Sequence, residues 1–477
     1  MQVSTQQGSR EFLSAKSERV LLWLSVGLIS LIAFEALAVA TAMPTVVTAL
    51  DGANLYALAM GVPLATQLMT TAIAGPWSDS VSPQSCLYIG LAGFVSGLVI
   101  ATFSPTMVIF VVGRAVQGLG AGLCIVPIYA LIGNNVRPMR QPAFFAAFAA
   151  AWVVPGLIGP AIAGILVENT SWRLVFGIVP ALLLFAAPIL VTTTRRIPHS
   201  QSPSDTSRIR TTVLCACATG ISLAVLQVMS GTESGGFTPL TYTAIVISSI
   251  LAFVFIKPLL PRGTFISRRG LASTVLLRGL INGAFLGVEA FLPLLLQDVH
   301  GWSPAQAGLI LTVGSVTWAL GSSVQARVRS QHQRTFLPAA GTFLQLVGIA
   351  IACLGSIPGI SGVVVIMGWT LSGFGIGLAF PALSVHSLAM TPPQRQGSTS
   401  ASIQLADNLG AAFCVAIAGI VHALLLPDTA HAFMGAFGLM AGVTLIAVVI
   451  AFRVQPHPGS QEAEQLAITS QRQASDS

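Results

Sequence analysis

Five charged residues interrupt long apolar stretches of the sequence. A charge near the centre of a membrane costs roughly 2.5–3.5 kcal/mol on insertion scales, so residues of this kind need a structural or chemical reason. The two arginines are expected charge partners, which would pair with acids or with backbone carbonyls and hold helices together. The charges at membrane depth are Glu35, Arg114, Arg278, Glu289 and Asp407.

Three of these residues are carboxylic acids, whose chemistry is the uptake and release of a proton. Burial disfavours the charged form of a carboxyl, so a buried acid can load and discharge a proton near neutral pH. We therefore expect Glu35 and Glu289 to be proton-coupling residues, with Asp407 as a third candidate. For Asp407 an alternative stays open, because Gln404 and Asn408 could simply solvate its carboxylate.

The composition indicates that these charges lie in membrane helices. Hydrophobic residues make up 54% of the 477-residue chain and charged residues only 8%, whereas soluble domains carry about 25% charged residues. Charged residues this few cannot cover the surface of a soluble protein of this size. Much of the surface must therefore face lipid. The net charge of +7 comes mostly from arginines in short loops, a pattern of membrane topology rather than of nucleic-acid binding.

Fourteen apolar stretches are long enough to cross a membrane, and none alternates as a strand would. The chain is therefore predicted to be an all-α integral membrane protein with fourteen transmembrane helices. The predicted spans are 20–43, 55–75, 86–104, 107–132, 143–167, 174–193, 211–230, 240–260, 271–297, 308–326, 336–356, 361–390, 400–425 and 433–453.

The basic residues set the predicted orientation. With both termini in the cytoplasm, nineteen of the 22 basic residues fall on the inner side, Arg173 alone falls outside, and Arg114 and Arg278 lie within spans. Cytoplasmic loops of membrane proteins carry such an excess of arginine and lysine. We expect a multi-pass protein of a bacterial inner membrane, with both termini cytoplasmic.

An internal repeat divides the predicted helices into two halves. The segment GLGAGL begins at Gly118 and GFGIGL begins at Gly373, an offset of 255 residues, while Glu35 and Glu289 are 254 residues apart. Halves of this kind are common in secondary transporters. The predicted organisation is a cytoplasmic tail (1–19), a six-helix bundle (20–193), a cytoplasmic linker (194–210), two inserted helices (211–260), a second six-helix bundle (271–453) and a disordered cytoplasmic tail (454–477).

Other classes of function lack the residues they would need. The sequence contains no G-x-x-x-x-G-K-[ST] motif and no soluble domain to hold one, so we expect no ATP-driven transport. No clustered nucleophile or set of metal ligands is evident, so we expect no enzyme, no metal and no cofactor. A sensor or enzyme on a transporter fold nevertheless stays an alternative from another class.

Several motifs resemble those of the major facilitator superfamily, and within it the fourteen-helix drug:proton antiporters. The resemblance covers roughly residues 18–455. Glu35 with Pro44 is similar to the acidic motif of the first helix, and Arg114-Ala-Val-Gln117-Gly118-Leu-Gly-Ala is similar to R-x-x-Q-G-x-G-A. The segment 155–164 resembles the exporter motif G-x-x-G-P-x-x-G-G. The segment 75–84 resembles the signature loop only in part, because it keeps Asp79 but lacks the basic residues that should follow.

The resemblance implies two six-helix halves that rock around a central site and exchange protons for an apolar or amphipathic compound. That compound would be a drug, a secondary metabolite or a lipid, and the other partners would be protons and membrane lipids. Import of a small solute stays an alternative. The resemblance assigns gating and helix packing to Asp79, Gln117, Gly118, Pro155, Gly156, Gly159, Pro160 and Gly164.

Overall fold

The computed structural model describes residues 14–137, 140–195, 197, 206–229, 238–328, 331–391 and 396–455. These residues form α-helices joined by short turns, and no strand occurs among them. The helices are α1 (Ala15–Ala49), α2 (Tyr56–Ser80), α3 (Pro83–Thr102), α4 (Met107–Asn135), α5 (Gln141–Asn169), α6 (Trp172–Thr194), α7 (Thr206–Met229), α8 (Pro239–Ile256), α9 (Leu271–Glu289), α10 (Leu292–Asp298), α11 (Pro304–Arg327), α12 (Gln331–Leu354), α13 (Val363–Ala389), α14 (Gln396–Leu425) and α15 (Thr429–Ala451).

The lengths of these helices make the chain a multi-pass membrane protein. In the described part of the chain, thirteen segments are long and apolar enough to cross a membrane, and α9 and α10 together form one of them, Leu271–Asp298. Helix α5 is 29 residues long and is apolar over most of its length. With α5 included, the fourteen predicted crossings are accounted for.

The helices pack as two bundles with the same arrangement. In the first bundle α1 packs on α5 and α6, α3 on α4 and α6, and α2 on α4; in the second α9 packs on α14 and α15, α12 on α13 and α15, and α11 on α13. The bundles meet where α5 contacts α11 and where α2 contacts α14. The two extra helices, α7 and α8, pack on each other, and α7 contacts both α2 and α14.

Glycines at matched positions explain why the two bundles pack alike. A Cβ atom on Gly97 of α3 would lie 2.2 Å from the backbone nitrogen of Gln117, and one on Gly348 of α12 would lie 2.4 Å from that of Ser372. Only glycine lets helix backbones approach this closely. The same correspondence relates further pairs of glycines, which are Gly90 and Gly341, Gly113 and Gly368, and Gly120 and Gly375.

Prolines inside the helices free carbonyl oxygens that neighbouring helices then use. A proline lacks the N–H that would bond the carbonyl four residues earlier. Pro155 frees the carbonyl of Ala151, which accepts a hydrogen bond from the Ser30 hydroxyl of α1 at 3.1 Å. In the second bundle, Pro381 frees the carbonyl of Gly377, and the hydroxyl of Ser322 donates to it at 3.2 Å. Lipid offers no donor to a free carbonyl, so these bonds tie helices together.

Several predicted boundaries differ from the structure. Helix α1 begins at Ala15, capped by the Ser14 hydroxyl, so the structured chain starts before the predicted residue 20. Helix α2 continues through Pro76 to Ser80, and the predicted loop after it is reduced to two residues before Pro83. Of the disordered tail predicted for 454–477, residues 456–477 lie outside the described residues, whereas Val454 is buried. Most of the predicted linker also lies outside the described residues.

Candidate functional site

The first charge cluster joins α1 to α4 inside the first bundle. The guanidinium of Arg114 donates to the carboxylate of Glu35 and to the side-chain oxygen of Gln117. All three side chains are buried. Gln117 lies one helical turn after Arg114 on α4, so both side chains point to the same side of that helix and toward α1. The pair is buried, so each charge depends on the other for compensation.

A proline on α2 supplies a third partner for Arg114. Pro63 leaves the carbonyl of Ala59 without its helical hydrogen bond, and the Nε of Arg114 donates to that oxygen at 3.3 Å. The guanidinium is therefore held by α1, by its own helix and by α2. If Glu35 became neutral, Arg114 would keep two of its three partners.

The second charge cluster joins α9 to α14 in the other bundle. Arg278 makes a two-pronged contact with Asp407, through Nε at 3.2 Å and through the second guanidinium nitrogen at 3.1 Å. Arg278 also donates to the hydroxyl of Ser384 and to the carbonyl of Phe380 on α13, and its guanidinium lies 3.4 Å from the centre of the Phe380 ring. Arg278 and Arg114 each have three partner residues, but Arg278 makes more contacts with them and is slightly more exposed.

Asn282, one turn after Arg278 on α9, also contacts α14. Its amide donates to the backbone oxygen of Asp407 at 3.1 Å. Gln404 bonds Asn408 at 3.3 Å rather than Asp407 itself. The Asp407 carboxylate is therefore bound by Arg278 and not by the amides of Gln404 and Asn408.

Glu289 is placed differently from the other two acids. It is the last residue of α9 and is 8% exposed, and the helix breaks at Ala290–Phe291 before α10 begins. Pro293 lies in the first turn of α10. Within the part of the chain that the structure describes, Glu289 takes part in no ion pair.

The correspondence between Glu35 and Glu289 depends on how the first helices of the halves are aligned. Ser30 of α1 bonds Ala151 of α5, and Asn282 of α9 bonds Asp407 of α14, so the two bonds link equivalent helix pairs. If Ser30 is matched with Asn282, α1 aligns with α9 at an offset of 252 residues rather than 254. Two residues turn a side chain by roughly 200° around a helix. This turn gives a physical reason why Glu289 does not meet an arginine as Glu35 does; the matching of the two acids stays a prediction.

The proline–glycine motif of α5 lies where the bundles meet. A Cβ on Gly156 would lie 2.9 Å from the Cβ of Ser315, and one on Gly164 would lie 2.5 Å from the Cα of Ala305, both on α11. Gly159 faces α1 instead, with the ring of Phe34 at 3.3 Å. The motif therefore contains two contacts between halves and one contact within a half.

The bundles also meet by hydrogen bonds at one end of the molecule. We call the end where α1 begins and α2 ends the basic face, because the loops there carry most of the described basic residues, and the other end the opposite face. At the opposite face the Glu168 carboxylate accepts from the backbone N–H of Ala305 at 2.9 Å. There the hydroxyl of Tyr56 donates to the carbonyl of Ala290. These contacts join α5 to α11 and α2 to the α9–α10 break.

Some of the contacts that position the charges had no clear signal in the sequence. Ser384, Phe380 and Ala59 hold the two arginines, and two of these contacts are to backbone oxygens that a sequence does not display. Pro63 could have indicated the free carbonyl of Ala59. Asp79 lies in the last turn of α2 rather than in a loop, and its side chain is outside the described residues.

Chemically, the two clusters can hold or lose a proton at a carboxylate. In the described ranges no group of three or more His, Cys, Asp or Glu side chains could hold a metal ion. The acids instead face arginines and amides, so a proton added to either paired acid would weaken a contact between helices.

Comparisons with known proteins agree with this architecture. Residues 24–413 match the family model described as Major Facilitator Superfamily, and a second match covers 290–473. The chain is 25% identical to a probable multidrug-efflux transporter of Mycobacterium tuberculosis over 391 residues, which covers 80% of this chain and 82% of that protein. It is 24% identical to multidrug resistance protein 3 of Bacillus subtilis over 423 residues, covering 86% of this chain and 80% of the relative.

Solved structures agree at the level of the fold. A POT family transporter in complex with 5-aminolevulinic acid superposes with a TM-score of 0.68 at 14% identity, covering 92% of this chain and 97% of that one. The human organic anion transporter MFSD10 superposes with a TM-score of 0.59 at 16% identity, covering 92% and 100%.

Proposed function

This chain belongs to the Major Facilitator Superfamily and is a membrane transporter, and we propose that it is a proton-coupled exporter of apolar or amphipathic compounds. The buried ion pair of Glu35 and Arg114 is the observation that carries the proton coupling. The relatives named as multidrug transporters support the direction and the breadth of substrate.

The proposed coupling step is the protonation of Glu35. The neutral acid no longer compensates Arg114, so the contact between α1 and α4 weakens, while Gln117 and the carbonyl of Ala59 keep the arginine in place. Substrate binding then competes with the proton or follows its release, so each ligand lowers the affinity for the other. Glu289 and Asp407 are the further acids we propose for the proton path.

Access to the central site would alternate by rocking of the two bundles. The contacts of Glu168 with Ala305 and of Tyr56 with Ala290 close the opposite face, so they must open when that side is exposed. Gly156 and Gly164 let α5 and α11 close again without steric conflict. Helices α7 and α8 lie outside the duplicated units, and we propose that they supply no coupling residue.

The orientation that this scheme needs places the basic face in the cytoplasm of a bacterial cell. An impermeant thiol reagent applied to intact cells should label a cysteine at position 303 but not one at position 204, in a cysteine-free chain. Labelling of position 204 from outside would contradict the proposed fourteen-crossing orientation.

The function is tested with the purified chain in proteoliposomes under an imposed pH gradient. A panel of apolar and amphipathic cations, anions and neutral compounds is offered on the cytoplasmic side, and movement against its gradient is followed together with proton flux. We expect uphill substrate movement opposite to proton flow. Movement in the same direction as protons would mean import, and chemical change of the compound without movement would mean an enzyme.

A further inference from the structure

An apolar groove opens on the surface of the second half, and none of the charged side chains of the two clusters lines it. It lies between α8, α9, α14 and α15, and its walls include Phe253 of α8, Leu276 and Leu280 of α9, and Val443 of α15. On α14 the lining runs from Ala406 to Ile417, which are roughly 16 Å apart at the helical rise. This length is about half of the ~30 Å hydrocarbon core, which suits one acyl chain of one leaflet.

The end of the groove at the basic face is formed by the turn between α8 and α9. Leu260, Thr264 and Phe265 of this turn line the groove, and Phe253 stacks edge-on against Phe265 at 5.4 Å and against Phe413 at 4.9 Å. The next residue, Ile266, is 77% exposed. Exposed apolar and aromatic side chains at a helix end are typical of the interface between acyl chains and headgroups.

Four basic residues lie in or beside this turn. Lys257, Arg262, Arg268 and Arg269 are all exposed, and none of them forms an ion pair with another described residue. The sequence has no acid from residue 234 to residue 288. The turn whose residues Leu260, Thr264 and Phe265 line the groove therefore carries only positive charge.

The turn that carries the arginines is fixed by its own hydrogen bonds. The Thr264 hydroxyl donates to the carbonyl of Pro261 at 2.7 Å, and the N–H of Arg268 donates to the carbonyl of Gly263 at 3.1 Å. Gly263 has φ of +88°, a left-handed conformation that suits glycine. The Ser273 hydroxyl caps the carbonyl of Arg268 at 2.7 Å and so ties the turn to α9. A charge cluster held in this way loses little freedom when it binds an anion.

We propose that this groove and its arginines form a binding site for one anionic phospholipid of the leaflet next to the basic face. One acyl chain lies along α14 in the groove, and the phosphate is held by Arg262, Arg268 and Arg269. Basic pockets between transmembrane helices bind anionic headgroups by the same physics. Because the groove joins the inserted helix α8 to α9 and α14, the lipid would fasten the insert to the second bundle.

The site is tested by native mass spectrometry of the full chain in detergent, titrated with phosphatidylglycerol or with phosphatidylcholine of the same acyl chains. We expect one tightly bound phosphatidylglycerol and much weaker binding of phosphatidylcholine. The variant Arg262→Gln/Arg268→Gln/Arg269→Gln should weaken phosphatidylglycerol binding by about fivefold per arginine, on the order of a hundredfold in all. The control Arg195→Gln/Arg210→Gln/Arg327→Gln removes three exposed arginines elsewhere and should bind as the wild type does.

The groove is tested separately from the charges. Val443→Trp fills the groove and should weaken phosphatidylglycerol binding at least tenfold, whereas Val449→Trp, at a lipid-exposed position of the same helix, should not. Glycerol 3-phosphate, a headgroup without acyl chains, should not compete. Equal binding of the two lipids, or wild-type affinity in both the triple-arginine variant and Val443→Trp, would overturn the site, and competition by glycerol 3-phosphate would show an anion site without a lipid.

Discussion

In the first half of the molecule, Glu35 of α1 is paired with Arg114 of α4; in the second half, the 255-residue offset places Trp369 where Arg114 would be. Trp369 is buried and stacks on Phe285 at 4.2 Å. The arginine of the second half, Arg278, is on α9 instead and pairs with α14. The halves therefore share a backbone arrangement but place their charges on different helix pairs.

This difference shows which features a duplicated membrane fold holds fixed. The close contacts of Gly97 and Gly348 recur because any side chain there would force the helices apart. A buried charge, by contrast, needs an opposite charge or a hydrogen-bonding group nearby, and different helices can provide one. We interpret the buried Glu35–Arg114 pair of the first half as the proton-handling element. We interpret Arg278, which makes more contacts with its three partner residues, as more firmly structural.

The largest effect should come from removing one partner of the first pair. Arg114→Met leaves Glu35 buried without compensation and should lower the free energy of unfolding by about 3–5 kcal/mol. The double variant Glu35→Met/Arg114→Met should recover most of that loss. Unfolding in detergent by heat or denaturant, compared among the wild type, the single variant and the double variant, measures these losses. A double variant as unstable as the single variant would contradict the idea that Glu35 and Arg114 mainly compensate each other.

Removing the acid of the second ion pair should cost less than removing the arginine of the first. Asp407→Asn leaves Arg278 bonded to Ser384 and to the carbonyl of Phe380, so we expect a loss of about 1.5–3 kcal/mol in the same measurement. A loss as large as that of Arg114→Met would contradict this expectation.

The glycine packing, unlike the charges, should give equal effects in both halves. A Cβ on Gly118 would lie 2.3 Å from the carbonyl oxygen of Pro63, and one on Gly373 would lie 2.7 Å from that of Gly314. Gly118→Ala and Gly373→Ala should each cost about 1–3 kcal/mol of unfolding free energy through overpacking. Gly438→Ala, where a Cβ would have no neighbour within 4 Å, is the control and should cost nothing measurable.

The contact between the halves gives a prediction on transport rather than stability. Gly164→Ala should oppose closure of α5 on α11 by about 1–3 kcal/mol and so shift the access equilibrium by roughly 5- to 150-fold. Gly159→Ala, which faces the movable ring of Phe34, should transport more nearly as the wild type does. Transport rates at matched expression decide this, and equal loss in both variants would show that the motif does not act at the α11 contact.

The smallest effect is expected at the carbonyl freed by Pro155. Ser30→Ala removes the only described side-chain donor to Ala151, at a cost of about 1 kcal/mol. Ser249→Ala, whose hydroxyl bonds within its own helix, is the control and should cost less. Equal losses of unfolding free energy in the two variants would mean that the hydrogen bond between α1 and α5 stabilises the protein no more than a bond within one helix.

Much of this architecture could be predicted from the sequence because lipid imposes strong rules. Apolar length fixed the number of crossings, and the repeated glycine segments at Gly118 and Gly373 indicated the two halves. In the structure, the segment at Gly118 packs against α2, and the segment at Gly373 packs against α11. The charged residues stood out for the same reason, since few charges are tolerated at membrane depth.

The pairing of those charges could not be predicted, because it depends on rotation around each helix. Arg114 meets Glu35 and Arg278 meets Asp407, whereas spacing alone favoured a match between Glu35 and Glu289. From the sequence, Gly159 seemed as suited to the contact between halves as Gly164. Five residues separate them, so they point about two-fifths of a turn apart around the helix. The break after Glu289 was missed because Pro293 lies inside the following turn rather than at the break.

The central claim, that the buried Glu35–Arg114 pair carries proton coupling, is tested most directly by Glu35→Gln. The amide imitates a permanently protonated acid with little change in volume. In proteoliposomes, the variant should bind substrate and exchange it across the membrane without a gradient, but should not move it uphill on a pH gradient. Glu289→Gln and Asp407→Asn, run beside it, should be impaired less. Uphill transport by Glu35→Gln at the wild-type rate would contradict the account and place coupling at Glu289 or Asp407.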